Sequence, residues 1–195
     1  EANWVHRLTH TADGAIIMYP DADGDVILLE FYDLNGTCIR SMNYGASMLS
    51  PSHISADYPI AALERTSDGG YILVGLQETT TDYLDVYVSK IGGAGQQIWQ
   101  KSYASEAINK DCYLFARQTP ESGYVIGVTW SLTWGGADTE TRILKIDASG
   151  SLEKTLSFDS QKLELLTADG GFILYNSGSN SITQYDQDGL VEWSV

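Results

Sequence analysis

Short runs of β-branched, aromatic and other apolar residues recur along this chain, and each run is bounded by polar, glycine-rich residues. The clearest run, at 71–76, follows the stretch T-S-D-G-G that begins at Thr66. β-branched and aromatic residues favour strands, and Asp-Gly and Gly-Gly pairs close tight hairpins because glycine adopts positive φ without steric cost. The stretch therefore predicts two strands joined by a turn.

The same motif occurs four times, starting at Thr11, Thr66, Thr119 and Thr167, so the chain contains an internal repeat of about 50 residues. A second motif, in which Asp, a polar spacer and Gly form another turn, follows each copy and ends at Gly36, Gly95, Gly150 and Gly189. Together the two motifs predict four strands per repeat, termed A to D. In the second repeat we expect them at about 60–65, 71–76, 85–91 and 96–103.

Units of this length with four antiparallel strands are typical of propeller blades. The sequence thus predicts an all-β fold, a β-propeller of four antiparallel four-stranded blades. It would form one domain over 1–195, with blades at about 3–45, 58–104, 111–159 and 160–195. Four complete strand sets favour a closed ring, and a segment of a larger propeller is the alternative. One blade alone leaves apolar faces in water, so neighbouring blades must stack.

The order T-x-D-G-G-Y-I, then K-x-D-x-x-G, then Trp four residues later resembles the secreted β-propeller repeats of bacteria and archaea, and more distantly the quinoprotein-type blade. The resemblance covers essentially the whole chain and implies an extracellular or cell-surface protein. Trp99 and Trp193 keep the Trp, where Arg40 and Lys154 stand in the other repeats, and Ala15 replaces a glycine. The chain shows no motif for the quinoprotein cofactor pocket, so no active site is transferred.

Composition narrows the classes of partner. The 195-residue chain is 43% hydrophobic and has a net charge of -15, with only 11 scattered Lys and Arg. Such an acidic chain is a poor partner for nucleic acid or anionic membranes. No apolar run approaches the ~18 residues of a membrane-spanning helix, so we expect no membrane insertion. Carbohydrate or protein remain as partners.

The cysteines and histidines predict neither a disulfide nor a zinc site. Cys38 falls in strand D of the first blade and Cys112 at the start of strand A of the third, too far apart for a disulfide. The two cysteines lack CxxC spacing, and the three histidines form no ligand pattern. We therefore expect no cofactor, with calcium as the one candidate.

The calcium candidate is the D-x-D-G-D stretch formed by Asp21, Asp23 and Asp25. Carboxylates at alternating positions of a tight loop can converge on a hard cation. The EF-hand interpretation fails because Tyr32 occupies the position of the bidentate Glu. An acidic hairpin turn is the alternative.

The long connections supply the candidate ligand-binding residues. In such a blade the B to C and D to A connections share one face of the disk, and these include all the long and aromatic ones. Trp and Tyr beside carboxylates suit sugar rings, and they suit protein partners equally well. The candidates are His53, Asp57, Tyr58, Asp82, Tyr83, Trp130, Trp134 and Asp138. For Trp130 the alternative is inward packing at the end of strand B.

Charges of alternating sign occupy the predicted innermost strands, at Arg7, Glu64, Arg117 and Glu164. Near a narrow central channel they could form structural ion pairs, or bind an ion or take part in catalysis. Farther out, Trp99 and Trp193 occupy equivalent positions of strand D and are predicted to lie between blades.

Three functions fit these features. The leading hypothesis is a noncatalytic extracellular recognition module that binds a glycan or a protein through its long-loop face. A structural or assembly component of a larger surface protein is the alternative. A glycosidase or lyase that uses Asp57, Asp82 and Asp138 is the third, and it requires carboxylates roughly 5 to 9.5 Å apart.

Overall fold

The computed structural model describes residues 7–11, 14–20, 27–44, 62–78, 83–108, 112–131 and 139–195. The described regular elements are strands, and they form four antiparallel sheets of four strands each, numbered sheet 1 to sheet 4 along the chain. Sheets 1 and 2 contain β1 (Arg7–Thr11), β2 (Gly14–Pro20), β3 (Ile27–Asp33), β4 (Cys38–Tyr44), β5 (Ala62–Arg65), β6 (Tyr71–Glu78), β7 (Tyr83–Ile91) and β8 (Gln97–Ile108). Sheets 3 and 4 contain β9 (Cys112–Gln118), β10 (Tyr124–Ser131), β11 (Thr139–Ile146), β12 (Leu152–Asp159), β13 (Lys162–Leu166), β14 (Phe172–Asn176), β15 (Ser181–Tyr185) and β16 (Val191–Ser194).

The all-β class and the four-stranded antiparallel unit are confirmed. Each sheet is a meander in which the strands pair in the order of the chain. Strands β5 to β8 lie close to the positions that the repeat motifs predict, and β8 extends further, to Ile108. No described helix is long and apolar enough to cross a membrane.

The sheets are stacked in chain order through their first strands. Strand β1 contacts β5, β5 contacts β9, and β9 contacts β13. Within the described residues no contact of similar extent joins sheet 4 back to sheet 1. The sheets are therefore not observed as a closed ring, and the propeller arrangement stays a prediction.

We call the side of a sheet that points to the following sheet its front face, and the opposite side its back face. Residues directly opposite each other in adjacent strands lie on the same face. Phe31 is on the front face of sheet 1 and contacts Tyr71 on the back face of sheet 2, with ring centroids 5.8 Å apart. Trp99 meets Tyr124 across the second interface at 6.1 Å, and Phe158 meets Phe172 across the third at 5.3 Å. One edge-to-face aromatic contact thus marks each interface.

Burial differs between the middle and the ends of the stack. All described side chains of β6 and β10 are buried, whereas β2 and β14 alternate between buried and half-buried positions. One apolar cluster spans sheets 1 to 3, and a second joins sheet 3 to sheet 4. Sheets 2 and 3 are thus covered on both faces, and sheets 1 and 4 mainly on one.

One glycine per repeat is required by a close approach of the backbone. A Cβ added at any of these glycines would collide with a backbone carbonyl oxygen of the last or next-to-last residue of the third strand. The glycines are Gly14, Gly70, Gly123 and Gly171. In sheet 1 this position belongs to Gly14 and not to Ala15, because Thr11 pairs directly with Gly14 in a shorter hairpin. The motif is therefore conserved along this chain for steric reasons as well as for turn geometry.

The two tryptophans of the fourth strands have different environments. Trp99 lies between sheets 2 and 3, and its indole Nε1 donates a hydrogen bond to the carbonyl oxygen of Ala148 at 3.1 Å. Trp193 is 42% exposed, because sheet 4 has no following sheet among the described residues. The prediction that both lie between sheets is confirmed for Trp99 and wrong for Trp193.

The cysteines lie in different sheets. Cys38 is exposed on β4, and Cys112 is buried at the start of β9. Among the described residues no disulfide joins them.

Candidate functional site

The connections between strands alternate between two edges of the stack, because every sheet is a meander. We call the edge with the first-to-second and third-to-fourth strand connections the turn edge. The opposite loop edge carries the second-to-third strand connections and the links between sheets. Its longest connections span 45–61 and 132–138. These two edges differ in how their polar groups are used.

Side chains on the turn edge satisfy the backbone of their own turns. The Asp33 carboxylate accepts hydrogen bonds from the backbone N–H groups of Asn35 and Thr37, and Asp147 does the same for Ser149 and Ser151. These backbone donors, at Thr37 for Asp33 and at Ser151 for Asp147, are the main cause that lowers the pKa of each carboxyl group. The carboxylates of these turns are thus engaged in structure.

A buried lysine reinforces the turn edge of sheet 2. The ammonium group of Lys90, whose side chain is 6% exposed, lies 3.0 Å from Asp68 and donates a hydrogen bond to the Thr66 hydroxyl at 2.9 Å. The Thr66 hydroxyl itself donates to Asp68 at 2.6 Å. Hydrogen bonds from Thr66 and then from Lys90 lower the pKa of Asp68 to about 2. This network joins the first turn of the sheet to its third strand.

On the loop edge, sheet 3 provides the best-defined support. Trp130 is the next-to-last residue of the buried strand β10 and is 1% exposed. The guanidinium carbon of Arg142 lies 5.5 Å from the centre of its ring, and Arg142 also pairs with Glu140 at 3.6 Å. A guanidinium over an indole face contributes about 1 to 2 kcal/mol when it is partly desolvated. We call Trp130, Glu140 and Arg142 the loop base, because they flank the 132–138 connection.

Hydrogen bonds fix the strand ends beside the loop base. The Thr129 and Thr141 hydroxyls are 2.6 Å apart in the interior, and Thr141 donates to the Gln161 carbonyl at 2.7 Å. The backbone N–H of Ser160 donates to the carbonyl of Thr139 at 2.7 Å. Strand β11 is therefore fixed to the short link between sheets 3 and 4, and Thr129 joins β10 to β11 and, by accepting from the backbone N–H of Leu163, to β13.

The first strands of the sheets contain the four charged residues for which ion pairing is predicted. Glu164 pairs with Lys162 of its own strand at 3.5 Å, and Lys162 also lies over the ring of Tyr113 at 5.0 Å. Glu64 and Arg117 are half-buried on β5 and β9, and the side chain of Arg7 lies outside the described residues. The described ion pair of Glu164 thus lies within sheet 4, and Lys162 links it to sheet 3.

Most sequence-predicted site residues lie outside the described part of the chain. This group consists of Asp21, Asp23, Asp25, His53, Asp57, Tyr58, Asp82, Trp134 and Asp138, together with the side chain of Tyr83. Trp130 is described, and its burial makes it a support for the neighbouring connection and not a surface contact. In the described segments, no three His, Cys, Asp or Glu side chains lie close enough to hold a metal ion.

Sequence reasoning noted Glu140 only as an acid beside Trp134 and Asp138, and it missed Arg142. The alternation T-E-T-R at 139–142 contains a signal, since Arg142 takes an inward position of a strand where an apolar residue is expected. A charge in such a position requires partners, which here are the carboxylate of Glu140 and the ring of Trp130.

No protein-family profile matches the chain, and no curated protein matches it.

Proposed function

We propose that the chain is a noncatalytic recognition domain, in which the four sheets are the blades of a β-propeller and the loop edge binds a glycan. It would act outside the cell or at the cell surface. The observation that carries the proposal is the contrast between the two edges. The turn edge uses its polar groups within its own turns, and the loop edge carries long connections on fixed strand ends.

The loop base supports this proposal mechanically. Binding loops are effective when a rigid scaffold holds their ends, because less conformational entropy is lost on binding. The 132–138 connection emerges from Ser131, which is buried, and from Thr139, which is hydrogen-bonded to Ser160. The Trp134 and Asp138 side chains of this connection would therefore be presented from a fixed frame.

The residue types of the loop edge favour a glycan as the ligand. Indole and phenol rings stack on the C–H faces of sugars, while carboxylates accept hydrogen bonds from hydroxyl groups. Trp134 with Asp138, Asp82 with Tyr83, and Asp57 with Tyr58 are such combinations of neighbouring residues. The negative charge of the chain disfavours acidic sugars, so we expect a neutral glycan.

A glycan-array screen of the full chain, with and without calcium, tests the proposal. We expect selective binding to neutral glycans and a loss of at least about tenfold in affinity for Trp134→Ala, a typical effect of removing a central aromatic contact. Loss of binding after calcium removal would assign the cation to the loop edge, where Asp21, Asp23 and Asp25 lie in the 21–26 connection.

Ile98→Ala is the matched control, because Ile98 is exposed on an outermost strand away from the loop edge. This variant is expected to bind as the wild type does. Unaltered glycan binding by Trp134→Ala would contradict the assignment to the 132–138 connection. The absence of any bound glycan with folded protein would overturn the glycan proposal and favour a protein ligand.

A further inference from the structure

A single type of contact is repeated at each of the three interfaces between sheets. The contact is made by one residue of the fourth strand. In the pairing of the third and fourth strands, this residue belongs to the second pair counted from the turn. We call it the donor position, and it is occupied by Arg40, Trp99, Lys154 and Trp193.

The first three donor positions reach across to the next sheet. Arg40 donates to the carbonyl of Gly93 at 3.5 Å, Trp99 to Ala148 at 3.1 Å, and Lys154 to Asp188 at 2.8 Å. Each acceptor lies in the turn between the third and fourth strands of the following sheet. Three chemically different side chains thus make the same contact, so the geometry of the interface is maintained where the residue type changes.

Trp193 is the fourth donor, and among the described residues no sheet follows the one that carries it. Its indole is 42% exposed, and no described residue accepts a hydrogen bond from its N–H group. The apolar residues around it are exposed as well. Leu165 is 49% exposed and Ile182 is 40% exposed on the front face of sheet 4.

The same positions are covered at the preceding interface. Ile143 of sheet 3 corresponds to Ile182 in the strand register and is only 3% exposed, because sheet 4 covers it. Val125 likewise corresponds to Ile173 and is 1% exposed. The front face of sheet 4 therefore has the residues of an interface, and no sheet in the described part of the chain buries them.

The matching half of this interface lies on the back face of sheet 1. Ala15 and Tyr32 pair with each other there and are half-buried, and Tyr32 corresponds to Tyr185, which contacts Phe158 of the preceding sheet at 4.9 Å. The turn of sheet 1 at Asp33–Gly36 exposes Leu34, and its carbonyl groups correspond to the acceptors of the other turns.

We propose that the chain self-associates head to tail, with the front face of sheet 4 of one copy on the back face of sheet 1 of a second copy. In this contact Trp193 donates to the turn at 33–36. The argument is continuity with three interfaces already present, since one chain carries both complementary halves. The proposal does not depend on glycan recognition by the loop edge.

Electrostatics predicts the conditions for association. A net charge of -15 makes two copies repel each other at low ionic strength. Salt screens this repulsion and strengthens apolar contacts, so association should tighten when the salt concentration rises.

Sedimentation velocity of the full chain over a range of concentrations tests the proposal. We expect association of the wild type that strengthens with added salt. Trp193→Ala and Ile182→Asp should each raise the dissociation constant by at least about tenfold, as expected for central contacts. Ile98→Asp is the control, because Ile98 is exposed in sheet 2, away from the front face of sheet 4 and the back face of sheet 1. This variant should associate as the wild type does.

Mixing two variants tests the head-to-tail geometry. Ile182→Asp removes the front half of the contact and Ala15→Asp removes the back half, and each is expected to be monomeric alone. An equimolar mixture should form dimers, because one intact half remains on each variant. Near-ultraviolet circular dichroism shows whether each variant is folded. If Ile182→Asp does not fold, Trp193→Ala replaces it as the variant with an impaired front face.

Three results would overturn the proposal. The first is a wild type that stays monomeric at all concentrations and salt levels, which is expected if sheet 4 closes on sheet 1 of the same chain. The second is a mixture of the two aspartate variants that stays monomeric. The third is Ala15→Asp that still associates as the wild type does, which would place two copies of sheet 4 against each other.

Discussion

At the scale of single residues, the repeat motif has two separate physical roles. Gly14, Gly70 and their counterparts leave space for a carbonyl oxygen of the third strand. The residue before Gly70, Gly123 and Gly171 reaches positive φ: Gly69 does so at 80°, and in the third repeat Ser122 takes this role at 69°. The second role thus tolerates substitution in this chain, whereas the steric role does not.

The Asp68 network predicts a pH dependence of stability. The pKa of Asp68 is lowered from 3.8 to about 2 by Thr66 and Lys90. Its contribution to the free energy of unfolding is therefore fully present above about pH 4 and is lost as the pH falls through about 2. Because Asp68 is partly exposed, we expect Asp68→Asn to cost only about 1 kcal/mol at neutral pH.

Thermal unfolding at several pH values measures this effect. The difference in Tm between the wild type and Asp68→Asn should shrink as the pH falls from about 5 to about 2. Glu153→Gln, on the exposed face of β12, is the control and should change Tm little at any pH. A constant difference for Asp68→Asn would show that the carboxylate charge is not what stabilises this turn.

At the scale of elements, the interfaces between sheets depend on the fourth strands. Trp99 meets Tyr124 and hydrogen-bonds Ala148, and Tyr103 of the same strand donates to the Gly150 carbonyl at 2.5 Å. Burial, and secondarily the charge of Asp147, raises the pKa of Tyr103 to about 12. Tyr103 therefore keeps its hydroxyl proton and remains a hydrogen-bond donor at neutral and mildly alkaline pH.

Trp99 and Trp193 form a matched pair for measuring the strength of an interface. Trp99→Ala is expected to lower the free energy of unfolding by about 3 kcal/mol, near the lower end for aromatic truncations because the indole is half-buried. Trp193→Ala should cost less than about 1 kcal/mol in the monomer, because no described sheet covers this indole, which is 42% exposed. Urea unfolding at low protein concentration measures both values, and equal losses would contradict the interface described for Trp99.

The sequence predicted the elements better than their assembly. Alternating motifs located β5 to β8 within a few residues, because turn chemistry and strand propensity are local. Closure of the ring depends on how sheet 4 meets sheet 1, which local patterns do not encode. The first hairpin of sheet 1 is also shorter than the repeat motif predicts, so Gly14 and not Ala15 takes the position at which glycine is sterically required.

The candidate site was predicted less completely. For Trp130 a surface and an inward placement were both open, because it precedes a long polar connection; every position of β10 is buried, which places Trp130 in the core. Arg142 was not predicted as a site residue, because a lone arginine in a strand usually lies on the surface. Arg142 contacts Trp130 because β10 and β11 pair in the sheet. The order of residues along the chain does not show this pairing.

At the scale of the whole molecule, stability should be graded along the stack. Sheets 2 and 3 are covered on both faces, whereas sheets 1 and 4 each have one face that no described sheet covers. In stacked repeats stability is approximately a sum of unit and neighbour terms, so units with one neighbour open first.

Hydrogen exchange at low protein concentration measures this gradient. Amides of β6 and β10 should exchange most slowly, and those of β2, β14 and β15 faster. Head-to-tail association would slow exchange in the terminal sheets as the concentration rises. Equal protection of all four sheets at low concentration would contradict the graded stack and would favour a closed ring.

The recurring donor position also has a genetic consequence. Arg40, Trp99 and Lys154 are different residue types that donate to the same turn of the following sheet. A duplicated segment of about 50 residues would therefore form the same contact with the sheet before it and the sheet after it. The number of repeats can then change through unequal recombination while every existing contact is retained. A gene built in this way lengthens or shortens its protein by whole sheets.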